Sequence, residues 1–241
     1  MEQYKADFKR KEVKYLLDSS QKNALMPILE SHMEPDTFPH SSISNLYYDT
    51  PDFQMVRRSL EKPQYKEKLR LRCYCTPEDN SPAFPEIKKK AQGIVYKRRV
   101  RMPYAEALAY LAGENVHPSG QIFRELDWLL GANPNLAPRV FLSYERDSWK
   151  GLEAPELRLT MDREILWRAY GLDLRQGPWG DSLLTPGQTL MEIKFPGAAP
   201  LWLSRALSDI GAFPVSFSKY GRAYETLYKE NQKKMELRKY A

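Results

Sequence analysis

The sequence predicts an α+β fold built from roughly seven to nine long, antiparallel-looking strands with helices inserted between them. Three observations lead there. Many segments alternate charged and apolar residues with the period of two that belongs to a strand. Others space apolar residues at helical intervals. The 18 prolines of the 241-residue chain supply turns between them. Two sheets or one closed barrel fit this strand count equally well.

In chain order, residues 8–17 (FKRKEVKYLL) read as a strand. Asp18 then offers an N-cap to a helix carrying Leu25, Ile28 and Leu29, with Pro27 as a kink or an early-turn residue. SSISNLYYDTP is a strand ended by Asp-Thr-Pro, and DFQMVRRSLE is one short helix. A strand over 64–75, a polar loop over 76–85, and two strands joined by a turn near Ala91–Gly93 follow. Two helices place Leu108, Leu111, Phe123, Leu126, Leu129 and Leu130 in the core. Strands resume at RVFLSYERDSW, ELRLTMDREILWRA and QTLMEIKFP. The helix PLWLSRALSDIGAF precedes a last helix with the stripe Tyr220, Tyr224, Leu227 and Tyr228, for which Ser218 is the expected N-cap.

The length suits one large domain or two small ones, and 42% apolar residues suffice for a core. A net charge of +6 favours anionic partners. No run of 18 apolar residues occurs and the first residues lack an apolar h-region, so neither a membrane span nor a secretory signal is expected. Cys73 and Cys75 share one strand face, poorly placed for a mutual disulfide. They read as reduced, buried or half-buried thiols of a cytoplasmic protein. A zinc site would need further ligands, and His32, His40 and His117 fall in apparent loops or helix ends.

The charged faces carry the functional signal. In QYKEKLRLRCY, Lys66, Lys68, Arg70 and Arg72 oppose Leu69, Leu71 and Cys73. Arg10, Glu12 and Lys14 share a face, as do Glu86, Lys88 and Lys90, then Lys97, Arg99 and Arg101, and Glu192 with Lys194. Glu156, Arg158, Thr160 and Asp162 oppose Leu157, Leu159 and Met161. A half-buried sheet alternates anyway, but ordinary solvent faces are not built from Arg and Lys at i, i+2 and i+4. Neighbours about 7 Å apart repel by about 0.6 kcal/mol in water and about 2.4 kcal/mol at an effective dielectric near 20. Several such faces converging inside a barrel require an anion between them. A polyanion meets that need, and glutamates among phosphate-binding cations suit a divalent metal. Other residues read as structural: Tyr47, Tyr48, Trp128 and Trp149 as core, Asp49 as a turn residue.

Taken together, FKRKEVKY, LYYDT, KLRLRCY, PEIKKK, VYKRRV, SYERDSW, LRLTMDREI, LMEIKF and FSKYGRAY resemble the VTC (vacuolar transporter chaperone) catalytic domain. That domain is one of the triphosphate tunnel metalloenzymes of the CYTH-like superfamily. The resemblance runs from about Phe8 to about Tyr228, with 229–241 as a helical tail, and implies a single domain over the whole chain. It implies an eight-stranded antiparallel β-barrel, a basic triphosphate tunnel with helices around it. It also implies polyphosphate synthesis: ATP or another nucleoside triphosphate gives its γ-phosphate to a growing chain with Mn²⁺ or Mg²⁺. Larger members carry regulatory and membrane segments; lacking them, this sequence is expected to be a freestanding module, with any membrane partner unknown.

Carried over motif by motif, the resemblance implies that Lys14, Arg70, Arg72, Lys88, Arg158 and Lys219 serve catalysis by holding phosphates. Lys97, Arg99, Arg146, Lys66, Lys90 and Lys194 would bind substrate. Glu192 would hold the metal, with Glu12 and Glu86 as helpers or charge partners. Arg146 shares parity with Val140, Leu142 and Tyr144, so either a bulge shifts its register or it lies past the regular strand. Phosphoryl transfer to an already ionised phosphate oxygen needs no general base, in keeping with the scarcity of histidine. A triphosphatase of the same fold and a silent polyphosphate sensor remain open. A nucleic-acid module fits less well, because the cations are interleaved with glutamates and lack an aromatic ladder.

Overall fold

The computed structural model describes residues 10–61, 63–91, 94–114 and 119–239. The chain runs β1 (Arg10–Leu17), α1 (Ser19–His32), β2 (Met33–Asp49), α2 (Gln54–Leu60), β3 (Tyr65–Cys73), β4 (Pro82–Ala91), β5 (Ile94–Arg99) and β6 (Met102–Pro103). It continues with α3 (Tyr104–Leu111), α4 (Gln121–Ala132), β7 (Ala137–Gly151), β8 (Arg158–Arg168), a 3₁₀ turn (Leu174–Gln176), β9 (Asp181–Ser182), β10 (Thr189–Pro196), α5 (Leu201–Asp209) and α6 (Lys219–Lys239). The expected α+β class holds. Gln92 and Gly93 of the expected hairpin turn, and His117, lie outside the described residues.

The main ladder is β1-β10-β8-β7-β2-β3-β4-β5, with β6 on β4 and β9 on β8, ten strands among the described residues. It begins at β1 and ends at β5, so the sheet is open where a closed eight-stranded barrel was expected. Part of the reason is visible at β1, whose outer edge is already taken. Val215 N–H donates to Lys14 O at 2.8 Å, and Tyr15 bridges Pro214. At the other end, Lys97, Arg98 and Arg99 charge the β5 edge, a common protection of a terminal strand.

Two compact units are distinguished: Met1–Ser41 with Glu145–Ile165 and Leu184–Phe217, and Ser42–Tyr144 with Leu166–Leu183 and Ser218–Ala241. In the first, β1 pairs with β10 and β10 with β8. Leu159, Met161, Met191 and Ile193 join Leu25 and Leu29 of α1 and Leu203 and Leu207 of α5 in one core. Helix α1 starts where the sequence says it should: Gln21 N–H donates to Asp18 Oδ1 at 2.8 Å and Asp18 N–H to Gln21 Oε1 at 3.1 Å. Pro27 sits inside α1 and does not end it.

In the second unit, β2-β3-β4-β5 carries α3 and α4 on one face. Leu69, Leu71, Cys73 and Ile87 are fully buried there against Tyr104, Ala107, Leu111, Leu126 and Leu129. Burying each such leucine contributes about 1.5–3 kcal/mol. Leu108, Phe123 and Leu130 pack at the margin of this core. Three readings change. Trp128 is 63% exposed and lies outside the core, with Lys89 Nζ 5.9 Å from its ring. Cys75 lies past the end of β3 and is exposed, so it no longer shares the buried face of Cys73. Asp49 is more than a turn residue: it is fully buried, accepts the N–H groups of Met55 (2.8 Å) and Val56 (3.0 Å) at the start of α2, and takes the hydroxyl of Tyr220 at 2.8 Å. Among the described residues no helix is long and apolar enough to cross a membrane.

Candidate functional site

The second unit presents a cationic wall on the face of β3-β4-β5 opposite its apolar core. The antiparallel register brings Tyr47, Arg70, Glu86 and Arg99 into one row across four strands. The next row is Lys68, Lys88 and Lys97, and beyond it Lys66 faces Lys90. Adjacent strands stand about 4.8 Å apart, and like charges directly opposite each other are destabilising. At that spacing two ammonium groups repel by about 3 kcal/mol at an effective dielectric near 20. Side chains relieve part of this by reaching sideways. Lys66 Nζ donates to Ser59 O at 3.1 Å, and Lys68 Nζ to Ser218 Oγ at 3.0 Å.

The two arginines are held differently from the lysines. Arg72 is 5% exposed; its Nε donates to Asn45 Oδ1 at 2.9 Å and its Nη2 to the Tyr144 hydroxyl at 3.0 Å. Both acceptors are neutral, so they aim the guanidinium and leave its charge available. Arg70 donates to the Tyr47 hydroxyl at 3.0 Å and pairs with Glu86. Glu86 is fully buried, and Lys97 Nζ is 3.0 Å from its second oxygen. Burial pushes the Glu86 carboxyl up, but Arg70, Arg72 and Lys97 outweigh it and hold the pKa at about 2. Of its two expected roles, Glu86 occupies the place of charge partner. Lys97 is shifted down by burial and by Arg72 and Arg70, against the pull of Glu86.

Helix α6 adds to this unit. Ser218 Oγ accepts the Gly221 N–H at 3.1 Å, the cap expected from sequence. Lys219 Nζ lies 4.2 Å from the Tyr144 ring centroid. The Tyr220 ring stacks on Tyr47 at 4.5 Å, so the hydroxyl that steadies Arg70 belongs to a ring that is itself pinned.

The first unit holds a second cluster. On β1 and β10, Lys14 faces Glu192 and Glu12 faces Lys194. Lys14 Nζ lies 3.4 Å from Glu12 and 3.5 Å from Glu192, and donates to Phe217 O at 3.0 Å. Lys194 Nζ is 2.5 Å from Glu192. Burial opposes ionisation of Glu192, but Lys194, Lys14 and Arg146 hold its carboxyl far below the usual carboxylate range. Glu192 and Glu12 raise Lys14 in spite of its burial. Arg146 lies inside β7 and forks Asp162, Nε to Oδ1 at 2.6 Å and Nη2 to Oδ2 at 2.8 Å. It is therefore not beyond the regular strand. Arg158 is half-exposed and pairs with Asp36 at 3.3 Å.

Glu12 and Glu192 share one ammonium and form a pair of carboxylates. No group of three His, Cys, Asp or Glu side chains is gathered among the described residues. Two carboxylates completed by substrate phosphate oxygens suit Mg²⁺ or Mn²⁺, which are commonly bound in that way.

Sequence reasoning overlooked Asn45, Tyr144 and Asp162 as partners of the arginines, and saw Tyr47 only as core. Parity was the usable signal: Asn45 and Tyr47 alternate along β2, and Tyr144 stands two residues before Arg146.

The VTC domain family model matches residues 9–228. Comparison with curated protein sequences returned no match. Among solved structures, a Bacillus halodurans protein described as an adenylate cyclase candidate is similar, with a TM-score of 0.51 and 17% identity over 86% of this chain and 92% of that one. A Hippeastrum adenylyl cyclase candidate, described as having a dominant triphosphatase activity, has a TM-score of 0.54 and 15% identity over 89% of this chain and 95% of that one. At these identities the likeness concerns the fold alone. The family model spans nearly the whole chain, including both clusters, and the chain belongs to the VTC domain family.

Proposed function

We propose that this protein is a metal-dependent phosphotransferase that passes the γ-phosphate of ATP, or of another nucleoside triphosphate, to a growing polyphosphate chain along a basic wall. The observation that carries the reading is the cationic wall. Lysines stand in register across three strands beside two arginines, Arg72 fixed by neutral acceptors and Arg70 by Tyr47 and Glu86. Glu86 offsets part of the charge, through Arg70 and Lys97, and the net positive charge left on the face suits a chain of phosphates. Family membership supports the same substrate class. A nucleic acid is a poorer match, because Tyr47, Tyr144 and Tyr220 on this wall are almost wholly buried and offer no ladder for successive bases.

In this reading Arg70, Arg72, Lys88 and Lys219 clamp phosphates, Lys66, Lys90, Lys97 and Arg99 extend the grip, and Glu86 anchors Arg70 and Lys97. Lys14, Lys194, Arg146 and Arg158 supply cations around Glu12 and Glu192. These two carboxylates would hold Mn²⁺ or Mg²⁺, which would supply Lewis acidity. A terminal oxygen of the acceptor chain, already ionised, attacks the γ-phosphorus. The bond to the β,γ-bridging oxygen breaks, and the nucleoside diphosphate leaves with that electron pair. No side chain has to remove a proton.

The triphosphatase description of the Hippeastrum neighbour favours hydrolysis as the second reading. Purified protein incubated with ATP and Mn²⁺ separates the two. Long polyphosphate with ADP supports the transferase, free phosphate alone supports the hydrolase, and binding without turnover leaves a sensor.

A further inference from the structure

Five aromatic rings lie against the cations of the wall, and three of them are closed off. Tyr47, Tyr144 and Tyr220 are 8%, 4% and 2% exposed. The other two stand at the Arg72 end of the wall. Tyr74 follows the last residue of β3, keeps the parity of Arg70 and Arg72, and is 40% exposed. Phe84 is the cross-strand partner of Arg72 and is half-buried. The two rings meet edge to face, 5.6 Å apart at 79°. Arginines border both: Arg72 lies 6.0 Å from the Tyr74 centroid, Arg99 lies 5.1 Å from that of Phe84, and Arg99 Nη1 donates to the Tyr74 hydroxyl at 2.9 Å.

We propose that Tyr74, backed by Phe84, is the seat of the nucleobase of the donor nucleoside triphosphate. This rests on the triphosphate reading above and deepens it. Core packing does not require a ring as open as Tyr74, whereas a base needs one free π-face beside cations that hold the phosphates. The order of the wall then sets a direction. The base rests at the Tyr74 end, the first phosphates meet Arg72, Arg99 and Arg70, and the terminal phosphate points toward the Lys68–Lys88–Lys97 row. A π-face accepts any base, so the seat distinguishes a nucleotide from a bare phosphate chain more than one base from another.

The test is calorimetric titration of the purified full chain, in Mn²⁺-free buffer, with ATP, GTP and inorganic triphosphate. Tyr74→Ala weakens ATP and GTP alike by about tenfold and changes inorganic triphosphate by less than about twofold. Tyr74→Phe keeps the ring, loses the hydroxyl that steadies Arg99, and retains most of the nucleotide affinity. Equal weakening of nucleotide and inorganic triphosphate in Tyr74→Ala, or no weakening of either, overturns the seat. A parallel loss of both ligands in Tyr74→Phe assigns Tyr74 to positioning Arg99 instead, and also overturns it. A wild-type chain that binds no triphosphate removes the functional reading itself. Strong binding of inorganic triphosphate with unaltered ATP affinity in Tyr74→Ala removes only the seat.

Discussion

Arg72 donates to the hydroxyl of Tyr144 at 3.0 Å, and both side chains are about 95% removed from solvent. A buried guanidinium without an acceptor costs free energy, and a hydrogen bond to a charged group contributes about 1.5–3 kcal/mol. Tyr144→Phe removes the acceptor and little else. It is expected to lower unfolding stability by about 1–3 kcal/mol in urea and to weaken inorganic triphosphate binding severalfold. Unchanged stability together with unchanged affinity would show that Asn45 alone fixes Arg72.

Glu86 tests the electrostatic balance of the same wall. Its carboxyl is depressed from 4.5 to about 2 in the folded protein. The stabilisation it provides is therefore complete above about pH 4.5 and is lost as pH falls toward 2; by linkage it amounts to about 3 kcal/mol. Glu86→Gln is expected to lower the melting temperature at pH 7 and to flatten the acid limb of the stability curve. Inorganic triphosphate is expected to restore more of the melting temperature in Glu86→Gln than it adds to the wild type, because a bound anion replaces the missing one. An equal ligand shift in both proteins would contradict this account.

The apolar half of the pattern was readable and the polar half only partly so. Period two placed Leu69, Leu71 and Cys73 on the core face and Arg70 and Arg72 opposite them, because strand geometry allows nothing else. What parity cannot reveal is register. That Lys68, Lys88 and Lys97 fall opposite one another, or that Glu86 falls beside Arg70, depends on loop lengths and pairings between distant segments. The open ladder escaped notice for a similar reason: the residues that occupy the β1 edge, Pro214 and Val215, belong to an irregular segment with no strand signature. Nothing in the sequence beyond parity marked Asn45 or Tyr144 as a partner of Arg72. Their function lies in a single oxygen atom each.

Glu192 carries the metal assignment. Glu192→Gln leaves Lys14 and Lys194 with a neutral neighbour, so some loss of stability is expected beside the loss of function. The diagnostic readout is the Mn²⁺ dependence of turnover: activity in the variant is expected to fall at least about a hundredfold and not to recover at high Mn²⁺, while inorganic triphosphate still binds. Full activity at ordinary Mn²⁺ would remove Glu192 from the metal site.

The lysine row gives the opposite sign from the arginines. Arg70 and Arg72 are tied to acceptors, so Arg70→Ala and Arg72→Ala are expected to weaken triphosphate binding without stabilising the empty protein. Lys88 makes contacts of its own within the wall, and it stands in register between two like charges, Lys68 and Lys97. Lys88→Gln is expected to stabilise the ligand-free protein by about 0.5–1 kcal/mol at low salt. Screening at about 1 M salt shortens the Debye length to about 3 Å, and the gain should shrink there. The same variant should bind inorganic triphosphate less tightly. Urea unfolding at both salt concentrations, set beside the titration, reads the two effects separately. A variant less stable at low salt than the wild type would mean that Lys88 is bound into the folded wall and that the row is not strained in the absence of an anion.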